Sequence, residues 1–172
     1  MQPEEIRRQL AALHRSAFGW AMVCCRRDRD LAADVLQQAY CRILEGKAKF
    51  RGEGRFSTWA FGVIRHVAWE EIRRRQRGGL RETSTPIEEL SDASSTGEAN
   101  LLQQVELSEQ LWNAMRQLSD RQRQVLHLIY YEEMTVRQAA EVMEISFGAA
   151  SQHFQRGKDA LRRILAAELE VD

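Results

Sequence analysis

The chain has 172 residues, 44% of them hydrophobic and 29% charged, with Lys+Arg and Asp+Glu at 25 each, so it can bury a core and carries no net charge. This balance excludes a disordered polyelectrolyte and leaves any affinity for nucleic acid to be sought in how the charge is distributed. Only 2 Pro and 10 Gly interrupt a sequence rich in Leu, Ala, Arg, Glu and Gln, which predicts an all-α fold.

The N-terminus, MQPEEIRRQLAALHRSAFGW, is charged where a signal peptide needs an apolar run. No uncharged stretch approaches the length of a membrane span, so a cytoplasmic protein is expected. The first half predicts helices over about 4–26, 29–45 and 57–76. Cys24, Cys25 and Cys41 fall within these helical patterns, are odd in number and lack CxxC spacing. They read as free thiols, with no metal site and no disulfide framework expected.

In the second helix Leu31, Val35, Leu36, Ala39, Ile43 and Leu44 recur at helical spacing, leaving Asp34, Gln37, Gln38 and Arg42 on a polar face open to a partner. Next comes KAKFRGEGRFSTW, a basic loop with two glycines and flanking aromatics, in which Ser57 is placed to cap the following helix. Such a loop suits separated DNA strands, whose bases stack on aromatic faces while cations neutralise the phosphates. Phe50, Phe56, Trp59 and Trp69 supply faces; Arg51, Arg55, Arg65, Arg73, Arg74, Arg75 and Arg77 supply charge of one sign. Trp59 also shares a helical stripe with Val63 and Val67, and for it a core position is the stronger reading.

From Gly78 to about residue 104, Gly, Ser, Thr, Pro and acidic residues replace the apolar periodicity, predicting a flexible acidic linker. The chain thus divides into two small helical domains, 1–77 and 105–172. Further helices are predicted over about 101–118, 120–132, 135–143 and 147–169. Ser119 with Gln122 and Thr135 with Gln138 both fit a capping box, and Ser146 is placed to cap the last helix. Thr135 to Leu165 reads as a helix-turn-helix, with a turn at Glu144 to Ser146 and a core of Val142, Ile145, Ala150, Phe154 and Leu161. Ala139 and Ala140 let the two helices cross closely. Ser151, Gln152, His153, Gln155 and Arg156 then face outward on the half of the second helix that enters a major groove. Gln and Arg are chemically suited to adenine and guanine edges.

Taken together, these segments resemble the extracytoplasmic-function (ECF) sigma factors of bacterial RNA polymerase. AADVLQQAYCRIL is similar to the family's polymerase-binding helix, and FRGEGRFSTWAFGVIRHVAWEEIRRR to its minus-10 region. LSDRQRQVLHLIYYEEMTVRQAAEVMEISFGAASQHFQRGKDALRRIL is similar to its minus-35 reader. The resemblance implies that Asp34, Gln37, Gln38 and Arg42 dock on the beta-prime clamp helices of core RNA polymerase. It places minus-10 DNA on Phe50, Arg51, Arg55, Phe56, Trp59, Arg65, His66, Arg73 and Arg74, with one base extruded into a pocket by the loop.

For minus-35 DNA it implies Ser146, Ser151, Gln152, His153, Gln155, Arg156 and Lys158, with the second domain on the beta flap. An anti-sigma factor is the expected regulator, and no cofactor is implied. The sequence departs from the family at His66, where Asn is usual, at Gln38, where an acid is common, and at Glu144, where Gly is frequent. Ser151 and His153 stand where basic residues are common. Two other readings fit the same residues: a freestanding helix-turn-helix regulator, and a sigma-like module that competes for polymerase without initiating. No carboxylate pair, activated nucleophile or phosphate-cradling loop argues for an enzyme.

Overall fold

The structure, a computed structural model, describes residues 2–78, 111 and 113–169. In order come α1 (Pro3–Cys24), α2 (Arg29–Leu44), α3 (Phe56–Arg77), α4 (Asp120–Tyr130), α5 (Val136–Met143) and α6 (Phe147–Leu169). Residues 113–116 are also helical, and no strand occurs among the described residues. The linker predicted over 78–104 lies, apart from Gly78, outside the described residues, as does most of the helix predicted over 101–118.

The first three helices pack on one another, their contact built by Leu31, Val35, Leu36 and Ala39 of α2 against Ala17, Trp20, Ala21 and Phe61, Ile64, Val67. Asp28 fixes where α2 begins, its carboxylate accepting a 2.9 Å hydrogen bond from the Leu31 N–H. A second cluster of Leu10, Ile43, Phe56 and Ala60 closes the end of this bundle beneath the 46–55 loop.

Beyond residue 118 the helix starts agree with the predicted caps. Both capping boxes form, at Ser119/Gln122 and Thr135/Gln138, and Ser146 Oγ accepts from the Ala149 N–H at 3.1 Å. Glu144 ends α5 in the left-handed conformation, φ 52°, so the tight turn is made by a residue with a Cβ. Gly157 serves close approach: a Cβ there would lie 3.2 Å from both Gln122 Cβ and Leu126 Cδ1, which lets α6 settle on α4.

The two halves share one core, which no local pattern announces. Val125, Leu128, Met134, Ala139, Val142 and Met143 join the same apolar cluster as Trp20, Phe61 and Ile64. At its centre Trp20 is fully buried, donating from Nε1 to the Phe61 carbonyl at 2.9 Å. Its ring lies between Phe61 and His127, and His127 in turn stacks on Tyr131. His127 Nε2 is 3.2 Å from Glu132 Oε1, without the alignment of a hydrogen bond. At the periphery Arg26 pairs with Asp120 at 2.8 Å, and Arg65 Nε donates to Gln124 Oε1 at 3.1 Å.

Candidate nucleic-acid interface

The loop between α2 and α3 turns on Gly52 and Gly54, whose φ values of 81° and 73° suit a residue without a Cβ. This geometry folds Phe50 back onto Phe56 and Trp59, with centroids 5.6 and 5.3 Å away. Phe56 is only 8% exposed and belongs to the cluster with Leu10 and Ile43. It therefore supports the loop from below, and the expected role as a stacking face is corrected on that ground.

Ser57 does not cap α3, contrary to expectation. Phe56 is already helical, Arg55 is the N-cap, and no side chain caps that end.

Beside the loop lies a cavity of about 520 Å³. The structure brings Arg42, Arg55, Trp59 and His66 to its wall, together with Lys47, Thr58 and Gly62. Trp59 thus has both fates considered for it, packing against the core cluster and also lining the cavity. Glu70 ties two of the wall's basic groups, accepting from Arg42 at 2.6 Å and facing His66 Nε2 at 3.0 Å. The Arg42 hydrogen bond holds the Glu70 carboxyl below its usual range, against burial, with His66 adding to the effect. Glu141 of α5 and Glu144, which caps its end, also line the cavity.

The other arginines do not converge on this cavity. Arg65 is half-buried and lines a second, smaller cleft with Trp69, Arg73, Arg121 and Gln124, and desolvation lowers its pKa. Arg73 lies over the exposed Trp69 ring, 4.3 Å from its centroid. Arg74 pairs with Glu71 at 2.6 Å, and Arg75 is drawn inward to Glu71, Asp28 and Asp34 at 3.3, 3.5 and 3.9 Å. The basic run read as a single phosphate-facing set is therefore divided, with Arg75 spent on joining α3 to α2.

Asp34, Gln37 and Gln38 stand exposed along α2. In the helix-turn-helix, Gln152, Gln155 and Arg156 are exposed, as is Ser146, whereas Ser151 and His153 are partly covered. Desolvation, followed by the charges of Arg121 and Arg156, lowers the His153 pKa. Lys158 sits over the Phe154 ring at 5.4 Å. Ala150 and Val142 are buried, and Ile145 and Phe154 pack against the shared core.

Comparison with known proteins gives this arrangement its context. Residues 6–78 match the family described as Sigma-70 region 2, and residues 108–161 match Sigma-70, region 4. The matches fall in that order on the same chain and together take in most of it. This chain belongs to the sigma-70 family.

ECF RNA polymerase sigma factor SigW of Bacillus subtilis (strain 168) is 25% identical over 140 residues, covering 78% of this chain and 75% of that protein. RNA polymerase sigma factor CarQ of Myxococcus xanthus is 25% identical over 150 residues, covering 85% and 80%. Among solved structures, the sigma factor RpoE in complex with the anti-sigma factor NepR from Bartonella quintana has a similar fold. Its TM-score is 0.75 at 18% identity, over 95% of this chain and 98% of that one. CnrH in complex with the cytosolic domain of CnrY aligns with a TM-score of 0.59 at 20% identity, over 92% and 86%.

As an ECF sigma factor the protein directs RNA polymerase to specific promoters for transcription initiation. Sequence reasoning missed several groups on this sigma factor's cavity. Lys47 and Thr58 lie inside KAKFRGEGRFSTW and Gly62 inside the stretch similar to the minus-10 region, but no pattern there distinguishes them as cavity residues. Glu141 and Glu144 had no signal pointing toward the loop, because they arrive through packing between the two halves.

Proposed function

We propose that this sigma factor captures the opened non-template strand of the minus-10 element at the cavity beside the α2–α3 loop. Trp59 offers a ring, Arg55 and Arg51 neutralise phosphate, and Phe50 holds the loop in shape. The observation that carries this reading is the cavity itself, seated between a glycine-turned basic loop and the head of α3, with an aromatic and His66 on its wall. Extruding a base costs about a few kcal/mol of stacking, and a pocket that receives it turns sequence into strand opening. No covalent step is needed, so the protein acts as an initiation factor and not as an enzyme.

In the same reading residues 1–77 form the minus-10 domain, and 105–172 read the minus-35 element. Gln152, Gln155 and Arg156 meet base edges; Ser146, Ser151, His153 and Lys158 meet the backbone beside them. Asp34, Gln37, Gln38 and Arg42 bind the polymerase clamp, and the second half rests on the beta flap. The structure of RpoE named above is a complex with an anti-sigma factor, which supports an anti-sigma factor as this chain's regulator too. The site of action is the cytoplasm, where polymerase and promoter meet.

Run-off transcription with core polymerase and a promoter library tests the reading. Wild type is expected to give defined start sites, and Trp59→Ala with Arg55→Ala is expected to lose them while still binding core. Tight core binding without any start site would favour a competitor of initiation.

A further inference from the structure

The second cleft, of about 280 Å³, opens where α3 meets the start of α4, so that both halves of the chain build it. Arg65, Arg73 and Arg121 line it, together with the apolar Ala68, Trp69 and Ile72. Asp120, its one acidic residue, is already taken by Arg26 and Arg123. Arg65 donates to the neutral Gln124 and Arg73 lies over Trp69; among the described residues neither these two nor Arg121 has a carboxylate partner. In a chain whose charges balance, the cleft is thus a local excess of positive charge. Beside it the Trp69 side chain is left 52% exposed.

The sequence supplies a segment of the opposite character. From Glu82 to Gln110, outside the described residues, the chain has no Lys or Arg, and its acids are densest in PIEELSD, where Ile87 and Leu90 stand among Glu88, Glu89 and Asp92. The points where the chain leaves and re-enters the described structure flank the cleft: Gln76, at the end of α3, and Asp120, at the head of α4, both line it. Extended chain covers about 3.3 Å per residue, so Ile87 reaches the cleft from Gly78 with ample length left to return to Leu111. A tether at both ends makes the encounter intramolecular, which lets individually weak, exposed charge pairs suffice. A phosphate backbone would satisfy the same arginines but leave Trp69 and Ile72 uncovered.

We propose that residues 87–92 of the same chain dock in this cleft, with Glu88, Glu89 and Asp92 toward Arg65, Arg73 and Arg121 and with Ile87 and Leu90 covering Trp69 and Ile72. Because the arginines come from α3 and α4, the docked segment bridges the two halves.

The test uses the full chain and a glutamyl endopeptidase, with cleavage after Glu88 and Glu89 measured against cleavage after Glu98 by mass spectrometry. Cleavage of a docked segment follows the fraction of time it spends undocked. Arg73→Glu with Arg121→Glu, both at exposed positions, is expected to raise that ratio about fivefold, the scale of a few exposed charge pairs, while the thermal midpoint stays at the wild-type value. Salt at about 1 M is expected to raise it in wild type as well. Adding Glu88→Arg with Asp92→Arg to the cleft variant, which keeps Glu89 as the cleavage point, is expected to restore the low ratio. A ratio unmoved by the cleft variant and by salt overturns the proposal, as does a rise that the charge swap fails to reverse. An unmoved ratio together with weaker binding of duplex DNA by the cleft variant would assign the cleft to nucleic acid instead.

Discussion

Trp20 of α1 stacks on His127 of α4, with ring centroids 5.8 Å apart and planes inclined by 23°. One residue from each half thus meets in the most deeply buried part of the molecule. Trp20→Ala is expected to cost about 3–5 kcal/mol, as for large aromatic truncations in a core. The loss should fall on both halves at once. Urea unfolding followed by circular dichroism checks this: wild type and variant should each show one transition, with the variant's midpoint lower. Two separated transitions in wild type would show that the halves unfold independently.

Glu144 holds a left-handed backbone at φ 52° that glycine adopts without strain. Glu144→Gly is expected to stabilise the protein by about 1 kcal/mol, and Glu144→Ala, which keeps a Cβ, is expected to gain nothing comparable. Thermal denaturation of the two variants beside wild type separates these outcomes.

Glu71 is buried, and its carboxyl is held below the usual range chiefly by the Arg74 hydrogen bond, with Arg75 helping against the opposing effect of burial. Because the folded pKa is depressed, this stabilisation is fully present above the unfolded value of about 4.3 and is lost as pH falls through the lower, folded value. Urea midpoints measured from pH 7 to pH 3 should therefore drop in wild type below about pH 4.3. Glu71→Gln should start lower at pH 7 and drop less steeply, retaining the slope that Glu70 contributes.

Burial pushes the Cys25 thiol up to about 12 and raises Cys24 as well, whereas Cys41 is exposed. A thiol-specific disulfide reagent should modify Cys41 alone in the folded protein and all three thiols in denaturant. Fast modification of Cys24 or Cys25 under native conditions would contradict their placement in the core.

Gly157 lets α6 lie against α4, where a Cβ would approach two side-chain atoms to 3.2 Å. Gly157→Val is expected to lower stability by about 1–3 kcal/mol through overpacking, in spite of the weak helix propensity of glycine. Denaturant titration checks it.

Much of this was legible in the sequence because it is local. The boxes at Ser119/Gln122 and Thr135/Gln138 depend on residues three apart, and the helix-turn-helix announced itself through small residues and spacing. Ser57 misled because Phe56 is anchored in the cluster with Leu10 and Ile43, so the helix begins one residue before the serine. The arginine run misled differently: Glu71 stands four residues before Arg75, a pairing visible in the sequence, while Asp28 is brought to it only by folding. The joint core was illegible, since nothing near Trp20 in sequence names His127 as its neighbour.

The packing of α5 on α3 also has a mechanical side. A Cβ at Gly62 would lie 4.0 Å from the Val142 carbonyl oxygen, so the two backbones run close and apolar side chains lock them. The loop cavity and the outward face of α6 are consequently held at one offset, like the jaws of closed calipers. Moving α5 away from α3 would wet Val142 and Met143, so anything that must reach the loop cavity and the helix-turn-helix separately works against this contact.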